Sequence, residues 1–192
     1  AYLLALHLGL FVEPSSMMTY FEPFQDRLSR DIRNSLSTAF LEAVASLDLQ
    51  PVHRAAALYL DQAIGECYRA YIAERLHRYE KALAALRRGP AAIWWRAAVL
   101  WDLQLFFEAH ELLEQVWIRA TGKEKLLLQA MIRAAGVYIK LEYGYQEAAV
   151  KMAGRALPVL AAHRSVLASF FDPEPLLDAL RNPTLPPSRL LG

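Results

Sequence analysis

The sequence is nearly devoid of cysteine. Cys67 stands alone among 192 residues, so no intrachain disulfide can form and a reducing, cytoplasmic setting is expected. On a helix, Cys67 itself reads as a small buried side chain rather than a reactive thiol. An excess of charge of either sign is also missing. The 21 basic and 20 acidic residues leave a net charge of +1, which exerts no global pull toward nucleic acid or an anionic membrane. Long hydrophobic runs are lacking too. The most apolar stretch, residues 2–12 (YLLALHLGLFV), is interrupted by His7 and falls far short of the ~20 residues that cross a bilayer. It also has no basic flank of the kind a signal peptide carries. The chain is therefore expected not to span a membrane. Met17-Met18 suits a natural start, and the preceding residues are read as a short helix packing on the bundle or on a neighbouring chain. Finally, no Gly-x-Ser-x-Gly, phosphate-cradling glycine loop or Gly-x-Gly-x-x-Gly occurs, which removes the usual hydrolase and nucleotide signatures.

What is present is apolar material. The hydrophobic share is 55% against 21% charged, enough for a sizeable core and incompatible with wholesale disorder. Proline and glycine punctuate the chain at Pro14, Pro23, Pro51, Gly89-Pro90, Gly122 and Gly144. Between these marks the apolar spacing is helical, with no sustained period of two. The expected fold is all-α, an antiparallel bundle built from helical hairpins with an N-terminal helical extension. Residues 1–90 form the extension, 91–165 a four-helix core, and 166–192 a short helix with a proline-bearing tail.

Within the extension, Leu28, Ile32, Leu36, Phe40, Val44 and Leu47 mark one amphipathic helix over 24–47. Residues 51–88 hold no second proline and only Gly65 as a weak point. Unbroken, they would reach about 57 Å, against a radius of gyration near ~16 Å for a compact chain of this length. Either the helix bends near Gly65 or it projects and pairs with a second subunit. The projecting arm, and with it a homo-oligomer or another protein partner held through the N-terminal helices, is the favoured expectation. The core reads as helices over 91–103, 106–119, 123–141 and 145–162, with Pro158 kinking the last. A faint internal echo aligns residues 102–109 with 141–148 at an offset of 39. Asp172-Pro173 suits the cap and first turn of a final short helix reaching about Arg181.

One polar constellation lies on the helix over 106–117, FFEAHELLEQVW. On a wheel of 100° per residue, Leu103, Phe106, Leu113 and Trp117 form an inward stripe that contains His110 and has Glu114 at its edge. Glu108, Glu111 and Gln115 fall on the opposite face, toward water. Gln129 and Arg133 occupy a polar strip on the next helix and could meet Glu114 and His110. Three readings stay open, in this order. The first is a satisfied internal network that sets helix register. The second is a polar pocket for a ligand or peptide, and the third is metal-assisted hydrolysis. The third is weakest, because the segment begins like a zincin helix but has Glu114 where a second histidine is needed. A di-iron bundle would need paired Glu-x-x-His motifs, and the chain has only Glu74 with His77. No metal and no cofactor are therefore expected.

A basic stretch, Arg69, Arg75, His77, Arg78, Lys81, Arg87 and Arg88, interleaves with Tyr68, Tyr71 and Tyr79, a pattern that can bind nucleic acid. Glu66, Glu74 and Glu80 interrupt it, so it is read as a solvated helix face and nucleic acid is not the expected partner.

The segment 103–117, with Phe107-Glu108-Ala109-His110-Glu111 followed by Glu114 and Trp117, resembles the small helical proteins of domain-of-unknown-function family 309. The likeness continues through Gly122, Leu128-Gln129, Ala134-Ala135, Tyr138, Gly144 and Ala148. The chain departs from the family pattern at Ala130, Arg133 and Tyr145. The resemblance implies an all-α hairpin bundle with Phe107, Glu108, His110, Glu111, Glu114 and Trp117 as signature positions, and it implies no activity. The expected function is a non-enzymatic, self-associating interaction or scaffold protein. The alternative is a small-ligand-binding protein or metal-assisted hydrolase using His110 and Glu114.

Overall fold

The structure is a computed structural model that describes residues 20–191. The apolar stretch 2–12, with His7, lies outside the described residues. Among those residues the chain forms nine helices and no strand, the all-α architecture expected from the sequence. None of these helices is long and apolar enough to cross a membrane.

Helix α1 (Arg27–Ser46) starts where the Asp26 carboxylate accepts from the backbone N–H of Leu28 and Ser29, at 3.3 and 2.7 Å. Such a cap satisfies two otherwise orphan donors and stabilises by ~1 kcal/mol. The α1 stripe buries Ile32, Leu36, Phe40 and Val44, as its spacing dictates. Leu47, expected on that stripe, instead turns out of the helix in a left-handed conformation and is exposed.

The expected projecting arm is not formed. The stretch 51–88 divides into α2 (Gln50–Leu60), with Pro51 in its first turn, and α3 (Glu66–Leu86), which Gly65 caps in an extended conformation. The physical reason is burial. A straight rod would leave its apolar side in water, whereas the break at 61–65 lets α2 and α3 both pack on α1 and bury Val52, Ala56, Ile72, Tyr79 and Leu86 in a common core.

Four further helices follow close to the expected positions: α4 (Ile93–Asp102), α5 (Phe106–Trp117), α6 (Gly122–Glu142) and α7 (Gln146–Ala162). A single turn, α8 (Arg164–Leu167), leads to α9 (Pro173–Arg181), whose N-terminus Asp172 caps by accepting from Glu174 N–H at 3.1 Å. Pro158 sits inside α7. Consecutive helices α4 to α7 pack as antiparallel hairpins around Trp101, whose ring meets Phe106 and Tyr138 edge-on at 5.3 and 4.8 Å. The tail beyond α9 docks on this core. Asp102 accepts from the N–H groups of Leu190 and Leu191 at 2.6 and 3.0 Å, and Trp101 Nε1 donates to the Ser188 carbonyl at 3.1 Å.

Two apolar cores result, and α4 and α5 belong to both. One core gathers α4 to α9. The other gathers α1 to α3 together with Val99, Leu100, Leu105, Ala109 and Leu112, which come from α4, α5 and their turn. A helix placed between two cores keeps only part of its surface for solvent, and this decides the fate of its polar residues.

The internal echo is real but its register differs. After α4, Leu105 N–H bonds the Leu100 carbonyl and Gln104 N–H the Trp101 carbonyl; after α6, Tyr145 N–H bonds Lys140 and Gly144 N–H bonds Leu141. Both are Schellman closures, with Gln104 at φ +55° and Gly144 at φ +80° as the left-handed residues. The structural offset is therefore 40 rather than 39. It aligns the buried Ala109 with the buried Ala149, and the shared Glu-Ala is coincidental. Left-handed backbone costs an L side chain roughly 1 kcal/mol, which glycine avoids. Gln104→Gly is therefore expected to raise the unfolding free energy by about 1 kcal/mol, and Gly144→Ala to lower it by about as much. Urea denaturation measures both, and no gain in Gln104→Gly would contradict the strain.

Candidate functional site

The polar centre of the molecule lies at the seam of the two cores and is built mainly from α3. Helix α3 buries Ile72, Tyr79, Ala82 and Leu86, and Arg75 falls on that same stripe, one turn from each of Ile72 and Tyr79. Arg75 is 4% exposed and Glu108, facing it from α5, is 0% exposed. Glu108 was expected in water. At Glu108 the side of α5 that the wheel assigned to solvent faces α1 and the Arg75 and Tyr79 side chains of α3, so the carboxylate is enclosed instead. Glu111, expected alongside it in water, is half-buried, whereas Gln115 is exposed as expected.

An isolated buried charge carries a penalty of several kcal/mol, offset only by partners. Glu108 has two. The Tyr79 hydroxyl donates to its Oε1 at 2.5 Å, and Arg75 Nη1 stands 3.6 Å from its Oε2. Arg75 is in turn surrounded. Its Nη1 donates to the Gln104 carbonyl at 3.4 Å, its Nη2 lies 3.8 Å from Glu142, and its Nε lies 3.7 Å from Glu74. Burial works against the guanidinium charge, but Glu108 and Glu142 outweigh it and hold the group protonated well beyond its ordinary range. Arg78 closes the rim. It pairs with Glu74 and donates to the carbonyls of Leu103 and Gln104 at 3.3 and 3.0 Å, which caps the end of α4.

The ion-pair distances around Arg75 exceed hydrogen-bonding range, and among the described residues Arg75 Nε, Glu74 Oε1, Glu108 Oε2 and the Tyr71 hydroxyl have no hydrogen-bond partner. Beside them opens a cavity of about 380 Å³, lined among others by Tyr71, Glu74, Arg75, Arg78, Glu142 and Tyr143. Phe21 forms part of its wall, stacked on Tyr71 with centroids 3.6 Å apart. Cys67, expected buried, is half-buried on the same wall. Phe24 anchors this N-terminal approach. It lies 3.4 Å from Lys140 Nζ and 5.9 Å from the Arg33 guanidinium, which itself sits 3.9 Å over Phe107. These are cation–π contacts.

Glu142 differs electrostatically from Glu108. Burial raises its carboxyl, Arg75 and Arg78 pull it down, Glu108 and Glu74 push it up, and it comes to rest at about 7. Burial likewise pushes the hydroxyls of Tyr71 and Tyr79 above their usual range.

The residues singled out in the sequence lie elsewhere. His110 is half-buried and its Nδ1 is bonded to Glu111 Oε1 at 3.2 Å. Glu114 completes a group in which one ligand atom from each of His110, Glu111 and Glu114 lies within 4.8 Å of the others. These three could hold a divalent cation, all from one helix and all partly open to water. Gln129 and Arg133 are half-buried on α6, and among the described residues neither shows a hydrogen bond or ion pair to His110 or Glu114. Trp117 stacks under Lys125 Nζ at 4.7 Å, and its buried indole N–H has no partner among the described residues. The structure therefore gathers His110, Glu111 and Glu114, and leaves Gln129 and Arg133 apart.

Arg75, Tyr79 and Glu142 were missed in the sequence. Arg75, Tyr71 and Tyr79 were present there as part of a basic, solvated face. The signal that could have found them is the i, i+3, i+7 register of Ile72, Arg75 and Tyr79, which puts a cation within an apolar stripe.

Two outcomes follow. Arg75→Met leaves Glu108 buried without a counter-ion, held by the Tyr79 hydroxyl, and is expected to cost about 3–5 kcal/mol. Adding Glu108→Gln should recover much of that loss, as read from urea midpoints; no recovery in the double variant would show that the guanidinium acts by packing alone. The folded state keeps the Glu142 proton from the usual 4.5 up to about 7. This contribution to stability is complete below pH 4.5 and is lost as pH rises through 7, by about 3 kcal/mol. Glu142→Gln should flatten that decline in thermal melts between pH 5 and 8, and an unchanged slope would assign the proton to another group.

No curated protein and no solved structure matches the chain. The family match that does exist takes in Glu108, Glu142 and Tyr143 but begins after α3, so the cavity joins matched and unmatched stretches. Residues 94–152 match the family described as Domain of unknown function (DUF309), which bears out the resemblance to that family.

Proposed function

We propose that this chain is a small-molecule-binding protein whose site is the cavity where α3 meets the C-terminal end of α6. The observation that carries this reading is Arg75. A guanidinium enclosed to 4% exposure lines a 380 Å³ cavity with its Nε unbonded, next to an unbonded Tyr71 hydroxyl. Buried donors left unpaired cost ~1–3 kcal/mol each, and a ligand or ordered water in the cavity removes that cost. The volume falls in the lower range of small-ligand pockets. Among the described residues, three further depressions, of about 430, 280 and 490 Å³, are lined by no buried charged side chain.

Self-association is a second reading, favoured by Leu58, which projects from α2 at 67% exposure. A single exposed leucine is common on monomers, so this observation carries less weight. Sedimentation at micromolar concentration tests it, and a monomer there would remove it.

The binding reading is tested at the cavity mouth. Ala70 is exposed and lines the opening, so Ala70→Trp should block the cavity and leave the melting temperature unchanged. Ligand-observed NMR with a fragment set of amines, carboxylates and neutral amides should find binders to the parent protein that the variant loses. Binders retained at full strength by Ala70→Trp would place the site elsewhere.

A further inference from the structure

We infer that the cavity takes a small organic cation, such as an ammonium or amidinium group on a compact apolar body, with the Glu142 carboxylate as its counter-ion. This rests on the binding reading above and names the ligand class of that same site. The first argument is the balance of charge. Three carboxylates, Glu74, Glu108 and Glu142, surround the single guanidinium of Arg75 at 3.6–3.8 Å. Arg78 is engaged with Glu74 and with two backbone carbonyls, and Arg75 is the cation that holds Glu108 inside the protein. Glu142 is left over. Among the described residues its ion-pair partner within 4.0 Å is Arg75 Nη2 at 3.8 Å, too far for a hydrogen bond. An anionic ligand would enter among three carboxylates, whereas a cation would complete the pairing and leave the Arg75 Nε–H to ordered water.

The wall supplies the second argument. Glu142 shares the cavity lining with Tyr143, Tyr71 and Phe21. Aromatic surface of this kind favours the hydrocarbon part of an amine and, through ring faces, its charge. Protonation adds a third. Glu142 is faced by Arg75, Arg78 and Glu74 from α3, by Glu108 from α5 and by Tyr143 beside it, and it keeps its proton up to about pH 7. A bound ammonium would displace that proton and occupy its electrostatic place. Binding therefore strengthens with pH while the ligand itself stays charged.

Calorimetric titration of the full chain at pH 6 and pH 8 with benzylammonium and with benzoate tests the assignment, because each probe keeps its charge over that window. Benzylammonium is expected to bind about tenfold more tightly at pH 8, as the ionised share of Glu142 rises from about a tenth to about nine-tenths, and benzoate is expected to bind more weakly than benzylammonium at both pH values. Glu142→Gln, checked for helicity by circular dichroism, should bind benzylammonium at least about tenfold more weakly, with no pH dependence. Benzoate binding in preference, or benzylammonium binding that ignores pH in the parent protein, would overturn the cation assignment while leaving the cavity a binding site. If neither probe binds at millimolar concentration, the cation assignment fails, and the comparison of the fragment set between the parent protein and Ala70→Trp decides the binding reading separately. The pH comparison needs no variant, so a misfolded Glu142→Gln would not remove the test.

Discussion

The contact between Arg75 and Glu108 is where the two halves of the molecule are joined by charge. Arg75 belongs to α3 and the first three helices; Glu108 belongs to α5, which the two cores share. Each ion loses several kcal/mol of hydration on burial, and the mutual attraction repays this only when further hydrogen bonds complete the geometry. Here those are the Tyr79 hydroxyl on Glu108 and the Gln104 carbonyl on Arg75. The second of these reaches the turn that ends α4. One buried pair thus fixes α3 against both α5 and the α4–α5 turn. Apolar burial supplies most of the driving force for such docking but sets register only loosely. The ionic contact sets it sharply, since a shift of one turn would strand both charges.

The same contact explains why residues 20–90 do not behave as an appendage. Val99, Leu100, Leu105, Ala109 and Leu112 present a second apolar face on α4 and α5, and α1 and α3 are what cover it. Without that cover the face would lie in water, and Glu108 would lose both Tyr79 and Arg75. The family-matched stretch 94–152 therefore carries half of a polar centre whose other half comes from outside it.

Much of this architecture was legible in the sequence. The helices over 106–119 and 123–141 emerged from apolar spacing and from glycines at their ends, and the Asp172-Pro173 cap from side-chain chemistry alone. These are local features, and local physics determines them. The polar site was not legible for a related reason. A helical wheel assumes one buried side and one wet side, but α5 lies between two cores, so Glu108 is enclosed on the side where Gln115 is free. Reading α3 as a projecting arm made Arg75 a surface cation for the same reason: nothing local says that a stretch of α5 waits opposite it. Contacts between distant segments, such as 75 with 108 and 142, are what a single sequence leaves implicit.

The looseness of the pairing at the seam also has a physical meaning. A buried guanidinium serving one carboxylate can close to a bidentate geometry under 3 Å, whereas Arg75 stands 3.6–3.8 Å from three carboxylates. It is shared, and sharing leaves each partner unsaturated. Tight packing would ordinarily squeeze out such a spacing, but here the opposing walls belong to different cores and each is already filled by its own side chains, so neither can move to close the gap. On the proposed reading a ligand in this gap touches α3 and the end of α6 together. It would then bind the assembled pair of cores in preference to either alone, and its binding energy would add to the stability of the seam by mass action.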